Sequence, residues 1–448
     1  MPLSGIEIYK MLPQTNCKEC GYPTCLAFAM KLAAKQADLD ACPYLSDEAR
    51  ETLEAAAAPP VRSVTLSADG REVKTGNETV LFRHEKRFVT KSGLFRRIRD
   101  DAPPETIRTQ AKAVADYSVE YVGRELTLDG FAIQATGDGD SFASAIETIL
   151  ETARWPLTLM ADDPDVMARG LEAAEGTRPL LYGATAETWE PFAELAQAHE
   201  APLAVRADSI TALVELTSQI KAAGVSEIVL DPGARDVHSM LSLNTLIRRM
   251  ALKENVRPLG HPLIVFPGAC TDDPALVSVA TAQAIAKYGG LVVIDSFDPA
   301  AIYPLLVLRE NIYTDPQEPI QVQPGIYEIN EPDADAPAMV TTNFSITYFS
   351  VANEVDNSGI PGWLLVADAE GMSVLTAWAA GKFDAERIAK SIKKAEMEEK
   401  INHRRLIIPG YVSVLLGELE EELPGWEILV GPREAVDLPA YLKRQQAG

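Results

Sequence analysis

The feature that most constrains the fold is a regular alternation of short apolar runs with longer helix-like segments through the middle of the chain. Each run has the length of a buried strand, and it is apolar throughout rather than alternating, as in parallel strands covered on both faces. The eight runs begin at Thr79, Gly130, Pro156, Pro179, Pro202, Glu227, Pro262 and Leu291. Eight strand–helix units predict a closed (β/α)8 TIM barrel, with a doubly wound open sheet as the competing fold.

The loops that follow these runs are rich in Asp and Gly but do not specify a reaction. Asp in such turns most often caps the next helix. No run carries a lysine suited to a Schiff base, and no His/Glu metal-binding pattern appears. We interpret Cys270 as a buried structural thiol, because free cysteines are commonly buried. His84 and His238 are isolated, and we interpret both as ordinary polar residues.

Four of the five cysteines lie in the first 42 residues, with the spacing C-x2-C-x4-C-x16-C. They are Cys17, Cys20, Cys25 and Cys42. Structural zinc usually shows two close cysteine pairs, whereas three ligands in one loop with a distant fourth before a proline favour a [4Fe-4S] cluster. Gly21 and Pro23 would let the backbone wrap closely around the sulfurs. We therefore favour an iron–sulfur cluster over zinc, and it implies electron transfer.

The charge and composition exclude several functions. The net charge of −24 disfavours binding to nucleic acid or to an anionic membrane. No N-terminal export signal appears, and the longest apolar stretch, "LIIPGYVSVLLG", is too short to span a bilayer. We expect a cytoplasmic protein, where clustered cysteines more often bind metal than form disulfides.

Two segments without apolar periodicity predict three domains. The segments are "EAAAAPPVRS" from Glu54 and "NEPDADAPA" from Asn330. The predicted domains are a cluster domain at 1–58, the barrel at 59–325 and a C-terminal domain at 326–448. The first linker suggests that the cluster domain is a mobile cap.

The last domain repeats the strand-then-helix pattern four times, which predicts a small open Rossmann-like α/β sheet. Ligands bind such sheets outside the carboxyl ends of the strands. Glycines follow three of the four strands and would allow a ligand to approach backbone amides closely. No G-x-G-x-x-G follows a strand, which disfavours a dinucleotide and leaves a broad, flat ligand.

The order of these parts, with "MLPQTNCKECGYPTCLAFAMKLA" at the start and "GMSVLTAWAAGKF" near the end, resembles the large subunit of the corrinoid iron–sulfur protein of the reductive acetyl-CoA pathway. The resemblance covers the full chain. It implies a [4Fe-4S] cluster on the four clustered cysteines and a corrinoid (cobalamin) on the C-terminal domain. The implied corrinoid contacts are Thr342, Thr347, Gly371, Met372, Ser373, Val374, Leu375, Thr376, Gly410, Tyr411 and Gly431.

The resemblance also implies an activity and partners. The chain would be the methyl-carrying component of a corrinoid-dependent methyltransferase system, with the chemistry at cobalt and no catalytic side chain. Its cob(I)amide would accept a methyl group from methyltetrahydrofolate on a methyltransferase and donate it to the nickel site of acetyl-CoA synthase/CO dehydrogenase. The cluster would reductively reactivate Co(II), and a smaller barrel subunit would complete a heterodimer.

The histidines predict how cobalt is coordinated. Many corrinoid proteins bind cobalt through the histidine of D-x-H-x-x-G, but "DVHSML" at Asp236 lacks the glycine, and His403 has no Asp two residues before it. We therefore expect base-off cobalt without a protein histidine. Two alternatives stay open: an iron–sulfur electron-transfer or zinc-stabilised scaffold subunit without corrinoid, and a barrel methyltransferase or other enzyme that uses the cluster directly.

Overall fold

A computed structural model describes residues 4–34, 36–46, 49–50, 53, 59–121, 124–314 and 320–447. The chain divides into two compact units. The first comprises Met1–Tyr117 and Thr127–Tyr313, and the second comprises Ser118–Leu126 and Thr314–Gly448. Half of the predicted first linker, residues 54–58, lies outside the described residues.

The secondary structure follows the strand-then-helix pattern of the sequence. The strands are β1 Val64–Ala68, β2 Arg71–Thr75, β3 Gly93–Arg99, β4 Val119–Tyr121, β5 Arg124–Leu126, β6 Gly130–Gln134, β7 Leu157–Met160, β8 Thr177–Arg178, β9 Leu180–Ala184, β10 Leu203–Arg206, β11 Ile228–Asp231, β12 Leu263–Val265, β13 Gly289–Ile294, β14 Gly325–Ile329, β15 Ala338–Thr342, β16 Gly362–Ala367, β17 Arg405–Ile408 and β18 Glu427–Val430. The α-helices are α1 Gly5–Met11, α2 Cys25–Ala33, α3 Pro104–Ala115, α4 Gly139–Thr152, α5 Pro164–Ala173, α6 Trp189–Ala198, α7 Ile210–Ala222, α8 Val237–Lys253, α9 Pro274–Ala286, α10 Pro299–Tyr313, α11 Ser345–Ser358, α12 Val374–Ala379, α13 Ala385–Lys394, α14 Met397–Lys400, α15 Leu416–Glu422 and α16 Leu438–Ala447.

The cysteine-containing segment forms two short helices around its own apolar cluster. Ser4 and Glu7 cap α1 reciprocally, and the Thr24 hydroxyl caps α2 by accepting the Ala27 N–H. Phe28 and Ile8 are buried where the two helices pack. Cys25 is the first residue of α2.

A closed barrel of eight parallel strands forms the centre of the first unit, in the order β10-β11-β12-β13-β3-β6-β7-β9. One helix follows each barrel strand, from α3 after β3 to α10 after β13. The predicted (β/α)8 barrel is therefore confirmed. Seven of its strands match the predicted apolar runs.

The prediction of the first barrel strand was wrong. Residues 79–84 contain no strand, with bends and turns over 81–84, and β3 at Gly93–Arg99 takes the first place in the barrel. Three arginines interrupt "GLFRRIR". A search for continuous apolar runs therefore misses this strand, although Leu94, Phe95 and Ile98 are buried. An arginine at the end of a barrel strand reaches solvent at the mouth, so charge there does not oppose strand formation.

An antiparallel hairpin, β1 and β2, was missed by the sequence interpretation. Its register pairs Val64 with Thr75 and Leu66 with Val73. Val64, Leu66 and Val73 join the interior apolar cluster of the barrel. The hairpin therefore contributes directly to the barrel core.

The second unit is a five-stranded sheet in the order β14-β16-β15-β17-β18. β15 to β18, all four predicted, are parallel, and β14 is antiparallel to β16. The predicted acidic linker joins β14 to β15 within this sheet, and the predicted boundary at 326 falls inside β14. The three-domain division stays a prediction.

Apolar clusters cover both faces of this sheet. Val340 and Leu365 pack with Ile388 of α13 on one face, and Leu364 and Val366 pack with α11 and α16 on the other. The alternation follows from the two-residue period of a strand. No helix among the described residues has the length and apolar content required to cross a membrane.

Candidate functional site

A cleft of about 290 Å³ opens at the carboxyl end of the second-unit sheet. Apolar side chains of β15 and β17 line its inner part, and the segments after all four parallel strands form its walls. This edge is where open parallel sheets bind ligands.

Six of the predicted corrinoid contacts line this cleft. They are Thr347, Ser373, Val374, Leu375, Tyr411 and Gly431. The other five are not among its lining residues, although each lies in or next to a segment that lines it. They are Thr342, Gly371, Met372, Thr376 and Gly410. The structure therefore brings the predicted set to one edge of the sheet.

Gly410 and Gly431 let two strand ends approach each other closely. Gly410 N–H donates to the Pro432 carbonyl at 3.0 Å, and Gly431 N–H donates to the Ile408 carbonyl at 2.9 Å. A Cβ at Gly410 would lie 2.6 Å from the Gly431 carbonyl oxygen. The close approach of the two backbone segments thus requires glycine at 410, independently of any ligand.

Gly371 has a positive φ of 71°, and a Cβ there would meet the Gln321 side chain at 2.7 Å. Next to it, Met372 packs against the core, and Ser373 precedes α12 with its hydroxyl 3.0 Å from that of Thr376. Gly371 therefore shapes the loop before Ser373 and does not open directly onto the cleft.

Asn343 holds that loop in place, and the sequence interpretation did not include it among the site residues. Its Oδ1 accepts N–H bonds from Ala369 at 2.9 Å and Gly371 at 3.0 Å, and its Nδ2 donates to Gln321. The side chain is buried. A polar residue directly after the apolar strand "AMVTT" was the available signal for this positioning residue.

Two buried hydroxyls under the cleft have no hydrogen-bond partner. They belong to Thr341, which lines the cleft, and Thr342 beside it. Their side chains are 1% and 0% exposed. Successive side chains of a strand point to opposite faces, so Thr341, which lines the cleft, is the one whose hydroxyl can contact a polar group bound there.

The rim of the cleft is apolar and exposed. Ile346 is 66% exposed and Leu375 44%. Tyr411, also exposed, donates its hydroxyl to Glu434; that hydrogen bond, followed by the charge of the carboxylate, raises the pKa of the phenol. A broad ligand could therefore extend from the cleft over an apolar rim.

His403 is engaged at the opposite edge of the sheet. Its Nε2 lies 2.9 Å from the Ala336 carbonyl, and its Nδ1 accepts the Arg405 N–H at 3.2 Å. Ala336 precedes β15 and Arg405 begins β17, so the ring lies at the amino ends of these strands. His403 is thus remote from the cleft and fully engaged with backbone.

In the first unit, the four clustered cysteines share one short segment. Cys25 and Cys42 are buried, Cys20 packs against the same apolar cluster, and Cys17 is exposed. Within the described part of the chain, no three His, Cys, Asp or Glu side chains form a ready metal-binding group.

The backbone around the first three cysteines turns repeatedly. Asn16, Lys18 and Gly21 have positive φ. Asn16 N–H already donates to the Cys25 sulfur at 3.4 Å, and the Asn16 side chain accepts the Cys25 N–H at 2.8 Å. The chemistry of four thiols with amide donors fits an iron–sulfur cluster.

Cys270, interpreted from the sequence as buried, is only half-buried. Its thiol lies 3.8 Å from the Phe266 carbonyl, and burial, followed by the charge of Asp236, raises its pKa. A raised pKa leaves the thiol protonated and unreactive.

Comparisons with known proteins agree with this arrangement. Residues 63–442 match the family model "CO dehydrogenase/acetyl-CoA synthase delta subunit", and residues 12–44 match "Putative Fe-S cluster". The second match contains all four clustered cysteines.

Two relatives match over nearly the whole chain. The corrinoid/iron-sulfur protein large subunit of Moorella thermoacetica is 43% identical over 100% of both chains. The acetyl-CoA decarbonylase/synthase complex subunit gamma of Methanopyrus kandleri is 36% identical over 99% of this chain and 98% of its own. A solved dihydropteroate synthase from Thermus thermophilus aligns with a TM-score of 0.38 and 18% identity, over 56% of this chain and 97% of its own, which is too distant to bear on function. By its full-length relatives, the chain belongs to the family of corrinoid iron–sulfur protein large subunits.

Proposed function

We propose that this chain carries methyl groups on a corrinoid held at the carboxyl end of the second-unit sheet, and that a [4Fe-4S] cluster on its N-terminal segment keeps that corrinoid active. The observation that supports this most strongly is the cleft itself. It joins six predicted contacts to buried, unpaired threonine hydroxyls.

The fit to a corrinoid rests on shape and polarity. A cleft of about 290 Å³ is too small to enclose a macrocycle, but its exposed apolar rim extends the contact surface. A corrinoid combines a broad apolar face with polar amide side chains and a nucleotide tail. The rim suits the face, and the Thr341 hydroxyl suits a polar substituent.

When bound, the corrinoid supplies the metal centre that accepts and releases the methyl group. The chain's own residues position it. Asn343 fixes the Ala369–Gly371 loop, and that loop sets the start of α12 at Ser373. The Ser373 and Thr376 hydroxyls lie 3.0 Å apart and are hydrogen-bonded to each other, which leaves one O–H donor of the pair for a ligand at the start of α12.

We propose that Cys17, Cys20, Cys25 and Cys42 hold the cluster. Burial of Cys25 and Cys42 would exclude water from two of the sulfurs, while the exposed Cys17 leaves one side accessible for electron exchange. The Asn16 amide would stabilise negative charge on the cluster through N–H···S contact.

The proposed partners follow from the family and from the open rim. A smaller barrel subunit would cover the exposed apolar side chains of the cleft rim, among them Ile346 and Leu375, at 66% and 44% exposed. A methyltetrahydrofolate methyltransferase and acetyl-CoA synthase/CO dehydrogenase would deliver and accept the methyl group. The chain is thus a component of a methyltransferase system rather than a complete enzyme.

Filling the cleft tests the corrinoid site. Thr347→Trp should expel the corrinoid, and the corrinoid absorbance of anaerobically purified protein should disappear while the iron–sulfur absorbance remains. Asn357→Trp, at an exposed position near the other end of α11, is the matched control and should retain both. Full corrinoid content in Thr347→Trp would place the corrinoid elsewhere. A wild-type chain with a cluster but no corrinoid when purified with its partner would favour the electron-transfer subunit instead.

Removing one thiol tests the cluster. Cys42→Ala should lower iron content and the iron–sulfur absorbance while corrinoid binding persists, and Cys270→Ala should change neither. Methyl transfer from fully reduced protein should survive in Cys42→Ala, whereas reductive reactivation should fail. One zinc per chain in anaerobic wild-type protein would show that the segment is a zinc site.

A further inference from the structure

The barrel mouth in the first unit contains a second cavity, of about 190 Å³, at the carboxyl ends of the strands. Its lining includes three arginines, Arg97, Arg206 and Arg235, and one carboxylate, Asp162. This is the end of a (β/α)8 barrel where ligands bind. A positively lined cavity is unexpected in a chain with a net charge of −24.

The strand period explains how charged residues reach this cavity. Phe95, Ala204 and Val229 point into the barrel core, so the residues two positions later point the same way but one layer nearer the mouth. Those later residues are Arg97, Arg206 and Asp231. The top interior layer is therefore polar, above an apolar core.

Two of the arginines are held by carboxylates. Arg235 donates to Asp231 at 2.6 and 3.1 Å, and the buried Asp231 also accepts the Tyr182 hydroxyl at 2.6 Å. Arg97 pairs through Nε with Asp295 at 2.7 Å, which leaves its terminal nitrogens outside that ion pair. These pairs orient guanidinium groups at a fixed place in the mouth.

Arg206 is the least constrained of the three. Its ion pair with Asp162 is long, at 3.9 Å, and Asp162 is 87% exposed. An exposed pair at that distance contributes little and is displaced easily. Arg206 therefore has donors for a ligand.

We propose that the barrel mouth binds a small oxyanion, a phosphate or carboxylate group, among Arg97, Arg206 and Arg235. Guanidinium groups bind both anions through paired, charge-assisted hydrogen bonds. The volume, below that of most drug-sized ligand sites, limits the ligand to a small molecule or to one charged group of a larger one. This site is independent of the corrinoid and cluster proposals, because no residue of the cleft or of the cysteine segment lines it.

The test is calorimetric titration of the full-length protein with inorganic phosphate and, separately, with succinate, at constant ionic strength set by chloride. We expect saturable binding of at least one anion, and the tighter one identifies the chemistry of the group. Arg206→Gln should weaken that binding by about tenfold or more, as expected for loss of a charge-assisted contact.

Arg108→Gln is the matched control. Arg108 is similarly exposed, at 41% against 38% for Arg206, and it pairs with Glu105 and Glu151 outside the mouth. It should bind the anion like the wild type. Absence of binding for both anions, or equal binding by Arg206→Gln and the wild type, would overturn the proposal. Because Arg206 has only a weak ion pair, its replacement should leave the fold intact, which unchanged circular dichroism and metal content would verify.

Discussion

The mouth of the barrel and the cleft of the C-terminal sheet are both built at the carboxyl ends of parallel strands, yet their chemistry is opposite. Arginines line the mouth, and its buried carboxylate, Asp231, has three partners: Tyr182, Gly233 and Arg235. Apolar side chains line most of the cleft, and its buried hydroxyls, on Thr341 and Thr342, have none.

The difference shows that strand geometry decides where a ligand binds and side chains decide which ligand. The mouth combines a paired arginine, Arg235, with the weakly paired Arg206, which suits a small, exchangeable anion. The cleft has an unpaired buried hydroxyl on Thr341 in a largely apolar lining, which suits the resident cofactor proposed above. The following predictions test this contrast.

The largest effect should come from breaking the paired charges of the mouth. Asp231→Ala leaves Arg235 and Tyr182 without their acceptor, and removing one member of a buried pair costs about 3–5 kcal/mol. Hydrogen exchange followed by mass spectrometry should show faster exchange in barrel peptides and unchanged exchange in residues 338–430. Unchanged hydrogen exchange in the barrel would show that the hydrogen bonds of Asp231 do not stabilise it.

A smaller effect is expected from the loop under the cleft. Asn343→Ala leaves the Ala369 and Gly371 N–H groups without an acceptor and should destabilise the second unit by about 2–4 kcal/mol. Corrinoid retention should fall, measured as cobalt per chain. Asn357→Ala, at an exposed position on α11, should have no such effect. Full cobalt content in Asn343→Ala would show that Asn343 is not needed to position the corrinoid.

Acid should weaken the barrel through His261. Burial, followed by the positive charges of Arg62 and Lys221, lowers the pKa of His261 to about 3. The unfolded state, with a pKa near 6.5, takes up the proton first, so the stabilisation is present above pH 6.5 and is lost as pH falls.

Between pH 6 and pH 5 this loss should be roughly 1 kcal/mol in denaturant unfolding. His261→Leu should remove that part of the pH dependence, and His199→Leu, at an exposed position, should not. An identical pH dependence in His261→Leu and the wild type would show that His261 is not the group responsible.

One buried hydroxyl without a hydrogen-bond partner in each region, Thr341 in the sheet and Thr158 in the barrel, offers the most direct comparison between them. Thr341→Val under the cleft and Thr158→Val in barrel strand β7 each remove a buried, unpartnered hydroxyl, and each should stabilise corrinoid-free protein by about 1 kcal/mol. Only Thr341→Val should also weaken corrinoid retention. Equal retention in both variants would mean that the Thr341 hydroxyl does not contact the cofactor.

The smallest effect, none at all, is predicted for His403. Its ring nitrogens lie at the amino ends of the strands and contact backbone. The electron paramagnetic resonance spectrum of the Co(II) protein should therefore be the same in His403→Ala and the wild type. A spectrum that loses nitrogen splitting in the variant would identify His403 as the cobalt ligand.

Much of the fold follows from the sequence because buried parallel strands are continuous apolar runs. Seven barrel strands and four sheet strands could be predicted that way. β3 escaped because three arginines interrupt its apolar residues, and the β1–β2 hairpin escaped because its strands alternate more exposed with buried residues.

The candidate site was predicted less completely. Glycine-bearing strand ends led to residues such as Ser373, Tyr411 and Gly431. Asn343 is buried and accepts hydrogen bonds from a loop, whereas the buried Thr341 hydroxyl has no partner. Neither property can be recognised until segments distant in sequence pack together. Gly371 and Gly410 turned out to shape backbone rather than line the cleft.

The central claim is that one chain carries both a corrinoid and an iron–sulfur cluster, and elemental analysis tests it most directly. Protein purified without oxygen, together with the proposed small subunit, should be analysed for iron, cobalt and zinc. The account predicts about four irons and one cobalt for each copy of this chain, with no zinc. One zinc without cobalt would contradict it, and iron without cobalt would reduce the protein to an electron-transfer subunit.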